Sequence, residues 1–129
     1  MAERRMFAKS VMLSDALLDL PVRTRCLYFN LGMEADDEGF VNSPRRAMRQ
    51  CGAAAADLER LVEKEFLLQF PSGVVVIRHW WVHNQLRKDR YRETVHTEEK
   101  ARLRLDEGKR YVWQPCGNHL EPDWQPSIG

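Results

Sequence analysis

The 129 residues carry 20 Lys+Arg against 19 Asp+Glu, a formal net charge of +1 with 43% hydrophobic residues. That length and composition suit one soluble domain with one modest core, and they exclude a strongly basic generic polyanion binder. The three cysteines, Cys26, Cys51 and Cys116, are odd in number and form no CxxC pair, which argues against a disulfide framework or a zinc knuckle and fits a reducing cytoplasm. There is no apolar leader after the basic N-terminus, and no apolar run approaches the roughly 20 residues a membrane helix needs.

In chain order, ERRMFAKSVM (3–12) alternates loosely and reads as a strand or an ordered arm. Ser14 or Asp15 caps a short helix through Leu17 and Leu18 that stops at Leu20-Pro21. Pro21 is placed to open the next helix, over 22–35, where Cys26, Leu27, Leu31 and Ala35 recur at helical spacing and Tyr28, Phe29 and Met33 widen the stripe. Cys26 therefore reads as core, and Gly32 marks a close packing contact. The acidic turn EADDEG (34–39) ends this helix. Asp36, Asp37 and Glu38 read as a helix terminator whose side chains diverge, rather than as an acid/base pair.

A very short strand is expected at Gly39-Phe40-Val41. Asn42 or Ser43 then caps a brief helix with Pro44 at its first position, ending at Cys51-Gly52. A further helix follows over 53–66, AAAADLERLVEKEF. It puts Leu58, Leu61, Val62 and Phe66 on one face, with Asp57, Glu59, Arg60, Glu63 and Lys64 on the others. FLLQF and VVVIRHW, joined by Pro71-Ser72-Gly73, read as a hairpin. The fold class expected is mainly α with a small β-hairpin wing, a winged helix-turn-helix.

Beyond the hairpin, Trp81 to Leu86 suits a short helix. Another begins around Thr94–Lys100, with Leu103 and Leu105 as its apolar anchors. The tail from Gly117 is Pro-rich and polar. The domain division that follows is 1–110, a winged-helix domain with a C-terminal helical extension, and 111–129, a flexible tail or linker.

Four constellations bear on function. His79 and His83 are four apart, but the pair lacks the Glu of HExxH and any nearby third ligand, so the corner IRHWW reads as core packing and not as a metal site. RKDRYR carries Arg87, Lys88, Arg90 and Arg92 against one Asp89; guanidinium groups match phosphate geometry and Tyr91 can stack on a base. The same run serves equally as a solvated surface paired with the acids at 34–38 or with Glu98 and Glu99. RRAMR puts Arg45, Arg46 and Arg49 on the helix that crosses the phosphate backbone in a helix-turn-helix.

The helix over 53–66 is the acidic exception, with Asp57, Glu59, Glu63 and Glu65 against Arg60 and Lys64. It leaves base reading modest, and the alternative is a helix that meets protein. The wing tip PSG has no charge. No Gly-rich phosphate loop, GxSxG or HExxH is present, so neither catalysis nor a cofactor is expected.

RMFAKS, DALLDLP, LYFNLGMEADDEGFVNSP, GVVVIRHW and HNQLRKDRY together make about three quarters of the chain resemble the N-terminal domain of phage replisome-organiser proteins, related to DnaD-like replication initiation proteins. The closing DWQPSIG resembles the linker after that domain in longer relatives. The resemblance implies a winged-helix, DNA-binding domain that helps assemble a replication complex at a phage or prophage origin in the cytoplasm of a bacterial host. Relatives often carry a further region that engages the replication helicase or its loader.

The expected partner is DNA, double-stranded, with a homo-oligomer as a further option. The candidate contacts are Arg45, Arg46 and Arg49 on one backbone, Arg60 and Lys64 at the groove, and Arg87, Lys88, Arg90 and Arg92 on flanking phosphates, with Tyr91 stacking on a base or sugar. The rival is a winged-helix interaction or dimerisation module that docks a replication partner or regulates transcription.

Overall fold

The computed structural model describes residues 4–84 and 92–114. Their fold is mixed α/β. Two one-turn helices, α1 (Lys9–Met12) and α2 (Asp15–Leu18), lead into α3 (Val22–Glu34), then β1 (Phe40–Val41), α4 (Arg45–Cys51), α5 (Ala55–Glu63), β2 (Leu67–Gln69), β3 (Val75–Ile77), α6 (Trp80–His83), α7 (Thr97–Lys100), β4 (Leu103–Leu105) and β5 (Tyr111–Trp113). No helix among the described residues is long and apolar enough to cross a membrane.

Local signals set most of these boundaries. The Ser14 hydroxyl accepts the Leu17 N–H at 3.3 Å and caps α2. Pro21 precedes the first turn of α3, where its missing N–H costs nothing. Gly52, at φ +66°, ends α4 in the left-handed conformation that helix C-termini favour. The turn that follows is short, because Ala53 N–H returns to the Met48 carbonyl at 2.8 Å.

The sheet order is β1-β3-β2, antiparallel throughout. Phe40 pairs with Val76, and Leu68 pairs with Val76 from the other side, so β3 is the central strand. The three residues of β3 are buried on both faces, which suits a strand without polar alternation. Between β2 and β3, Gly73 N–H donates to the Phe70 carbonyl and Phe70 N–H to the Val74 carbonyl, each at 2.9 Å.

The core gathers Leu17, Leu27, Tyr28 and Leu31 from the helical side, Leu61 from α5, Phe40, Leu67, Val75, Val76 and Ile77 from the sheet, and Trp80. Gly32 lets the arm pack closely: a Cβ there would lie 2.9 Å from the Phe7 ring. Tyr28, Phe66 and His83 pack edge to face around this centre.

Several expectations need correction. Cys26 is exposed rather than core, and Phe29 and Met33 are 43% and 58% exposed. Helix α3 buries Thr24, Leu27, Tyr28, Leu31 and Gly32, so its inward stripe is rotated from the one that apolar spacing suggests. The arm before α1 settles the rotation, since Phe7 covers Gly32.

Asp57 is fully buried, not outward-facing. The C-terminal extension is helical only over α7 and continues as strands. α7 lasts one turn, and Leu103 and Leu105 belong to a second hairpin with Tyr111 and Trp113 opposite. Its turn is held by Asp106, whose Oδ1 accepts the N–H groups of Gly108 and Arg110 at 2.9 Å. Tyr111 N–H donates to the Arg78 carbonyl and the Tyr111 ring is buried, so a domain boundary at 110 would cut through packed structure.

Candidate nucleic-acid interface

Pro44, just before α4, and Ala47 on it are buried, with Met48 and Cys51 half-buried. That leaves Arg45, Arg46 and Arg49 on one exposed face, at the i, i+1, i+4 spacing that makes them neighbours. Arg46 Nε lies 3.5 Å from Glu34 Oε2, but its side chain remains 79% exposed. A surface pair of this kind contributes at most about 1 kcal/mol and leaves the guanidinium available to a phosphate.

The candidates on α5 fare differently. Asp57 sits in the first turn and its Oδ2 accepts the Ala54 N–H at 2.9 Å, one half of a capping box. The same carboxylate takes the Thr24 hydroxyl at 2.5 Å, Arg23 Nε at 2.8 Å and Arg60 Nη1 at 3.0 Å. Burial alone would raise its pKa. The Thr24, Ala54 and Arg23 hydrogen bonds outweigh that and hold it at about 2.

Arg60 is thus a partner of a buried anion within its own helix, with its side chain still 42% exposed. Lys64 is exposed at the end of α5, beside exposed Glu59 and Glu63. The accessible surface of α5 offers alanines, acids, Lys64 and an Arg60 already paired with Asp57, a poor match to phosphates.

Arg87, Lys88, Arg90 and Tyr91 lie outside the described residues. Their flanks are fixed. On one side Asn84 is buried, and its Oδ1 accepts the Met6 N–H at 2.9 Å. On the other, exposed Arg92 donates its backbone N–H to Asp37 Oδ2 and Thr94 donates its own to Glu38 Oε2, both at 2.9 Å.

Asp37 and Glu38 were legible as a helix terminator but not as what they are, two adjacent buried carboxylates. Arg5 Nη1 approaches Asp37 Oδ1 at 3.4 Å, and Lys100 Nζ meets Glu38 Oε1 at 2.6 Å. The Asp37 carbonyl accepts Trp80 Nε1–H at 3.0 Å, and the Glu38 carbonyl accepts the Tyr111 hydroxyl at 2.8 Å. Arg5 also lies 5.1 Å over the Trp80 ring. One acidic turn therefore collects the N-terminal arm, the corner tryptophan, the return from the basic run and the second hairpin. Arg46 reaches the same turn through Glu34, so Arg46 and Arg92, distant in sequence, are both tied to one short stretch of chain.

His83 is a satisfied core histidine: Nδ1 accepts the Ala8 N–H at 2.8 Å and Nε2 meets the Tyr28 hydroxyl at 2.7 Å. Burial lowers its pKa to about 4 and, with Arg78 nearby, does the same for His79. Among the described residues no group of three His, Cys, Asp or Glu side chains is arranged to hold a metal ion. The second hairpin adds cations that the sequence reading left aside: Arg104 and Lys109 are exposed, and Arg110 pairs with Asp106 at 3.1 Å.

Compared with protein-family models, curated proteins and solved structures, the chain matches none. The likeness to replisome-organiser domains thus rests on the motifs alone.

Proposed function

We propose that this chain is a non-catalytic DNA-binding module on a winged helix-turn-helix frame. Support comes from the order helix, strand, helix, helix, strand, strand over α3 to β3, with β3 between β1 and β2. α4 and α5 then form the helix-turn-helix pair and the β2–β3 hairpin the wing. The observation that carries the function is the exposed face of α4, with Arg45, Arg46 and Arg49 and no acidic residue on that helix.

These arginines grip one phosphate backbone, Arg92 and the preceding basic run grip another, and α5 adds little base reading. Binding is dominated by charge and weakly selective. The service to a phage or prophage replication complex, in a bacterial cytoplasm and alongside a helicase or its loader, follows from the motif resemblance.

The test is titration of duplex DNA at several salt concentrations. Five phosphate contacts give a slope of log affinity against log salt of about −4 to −5. Replacing Arg45, Arg46 and Arg49 together by Glu should weaken binding alike for all sequences and make that slope shallower by about 3. Salt-independent binding, or none at low salt, rejects the proposal.

A second reading has its own observation. Val22, Cys26, Phe29 and Met33 recur at 4-3-4 spacing along the outer face of α3, and Val22 is 72% exposed. That is the spacing of a helix-pairing seam. It favours a protein-interaction module that docks through α3 rather than through α5, to itself or to a replication partner. Light scattering on the wild type and on a Phe29→Asp, Met33→Asp variant separates the readings: a dimer lost in the variant, with DNA affinity unchanged, supports the second.

A further inference from the structure

Cys26 and Cys51 are 25 positions apart in sequence, yet their sulfurs lie 3.3 Å from each other. Cys26 sits in the middle of α3 and Cys51 is the last residue of α4. Both are free thiols, Cys26 exposed and Cys51 half-buried. A disulfide requires the sulfurs to close to about 2.05 Å, roughly 1.2 Å nearer than they stand. The gap to be closed is small, and the α3–α4 packing already holds the two side chains against each other.

We propose that Cys26 and Cys51 are a modification site, a dithiol that is converted reversibly to an intramolecular disulfide by low-molecular-weight disulfides such as oxidised glutathione. Cys26 is the entry point because a reagent can reach it. Its thiolate attacks one sulfur of the reagent, the reagent's S–S bond breaks, and one reagent thiol leaves with a proton. Cys51 then attacks the Cys26 sulfur of the mixed disulfide, the Cys26–reagent bond breaks, and the second reagent thiol leaves with the second proton. The protein loses two electrons and two protons, and the reagent gains them.

The surroundings suit this division of roles. Asn30 Nδ2 lies 3.5 Å from the Cys26 sulfur and can donate to it. Cys51 is held protonated: burial, the neighbouring Cys26 and the Asp57 carboxylate push its pKa up to about 11. Attack on the reagent therefore starts at Cys26, and once Cys26 is bound in the mixed disulfide its hydrogen bond and charge no longer hold the Cys51 proton. The bond would tie α3 to the end of α4, just before Gly52. It would fix the helix on which the proposed DNA contacts stand, although the thiol chemistry itself does not depend on that reading.

The test uses the full chain carrying Cys116→Ser, so that only the pair remains. Incubation with oxidised glutathione should lower the intact mass by about 2 Da, with a tryptic cross-link joining the Cys26 and Cys51 peptides, and dithiothreitol should reverse both. Closing this loop should raise the melting temperature by about 5–15 °C. With Cys51→Ser added, the reaction should stop at a single glutathione adduct, about 305 Da heavier, on Cys26. Two adducts without a cross-link, two unreacted thiols in folded protein, covalent dimers in place of the internal bond, or an oxidised form that melts lower than the reduced one would each overturn the proposal.

Discussion

The Tyr28 hydroxyl and His83 Nε2 stand 2.7 Å apart in the interior, and the backbone N–H of Ala8 occupies the other ring nitrogen of His83. With Nδ1 accepting, the ring proton is on Nε2 and is donated to the Tyr28 oxygen. Burial keeps the ring neutral and pushes the Tyr28 phenol far above its ordinary range. The contact fastens the N-terminal arm to α3 and α6 at one point.

Protonating His83 removes the acceptor for Ala8. Its folded pKa of about 4 lies below the unfolded value of 6.5, so the unfolded chain binds the proton first. Stability should hold above pH 6.5 and fall, by about 2 kcal/mol from this group, as pH drops from 6.5 to 4. Urea unfolding at stepped pH measures the slope, and His83→Gln should make it shallower, with His79 supplying what remains. An imidazole NMR titration with a midpoint near 6.5 in the folded protein would contradict the assignment.

Asp57 works in the same sense at lower pH. Its pKa of about 2 is depressed from 3.8, so the stability it contributes is present above pH 3.8 and is lost as pH falls towards 2. Asp57→Asn should cost about 2 kcal/mol at pH 7, with the gap to wild type closing below pH 3. Because Asp57 joins Thr24 and Arg23 of α3 to the first turn of α5, the variant should also speed amide exchange at the start of α5.

The second hairpin is fastened by a short relay. Trp81 Nε1–H donates to the Tyr111 oxygen at 2.9 Å, and the Tyr111 hydroxyl donates to the Glu38 carbonyl at 2.8 Å. Tyr111→Phe removes one oxygen and both bonds, and should cost about 1–3 kcal/mol. Hydrogen exchange should show the loss concentrated in the amides of β4 and β5.

Two glycines separate conformational strain from steric strain. Gly39 has φ +92°, and a Cβ there would lie 2.7 Å from Trp80 Cβ and Cγ, whereas Gly52 has φ +66° and nothing within 4 Å of its Cβ position. Gly52→Ala should cost about 1 kcal/mol, the left-handed penalty alone. Gly39→Ala adds a clash with the side chain at the centre of the corner and should cost about 3 kcal/mol or more. Thermal melts of the two variants compare them directly.

What the sequence determined by itself is what short-range chemistry controls. The Ser14 cap, the stop at Pro21, the length of α3, the β1 strand, the breaks at Gly52 and Gly73 and the β2–β3 hairpin all follow from residues within a few positions of one another. The β4–β5 hairpin was readable too: Leu103 and Leu105 alternate, Tyr111 and Trp113 alternate, and Asp106 to Lys109 is a turn. A helical start at Thr97 masked it.

Tertiary structure alone decided which faces are buried and which charges meet. Asp57 points inward because Thr24, Arg23 and Ala54 await it there. Asp37 and Glu38 are buried because Arg5, Lys100 and two backbone N–H groups more than fifty residues away converge on them. Cys26 lies on the outer side of α3 because Phe7 closes the inner side over Gly32, and Cys51 reaches it only through the packing of α4 on α3. A charge or a thiol is placed by the partner that compensates its burial, and when that partner is distant in sequence no local pattern can announce it.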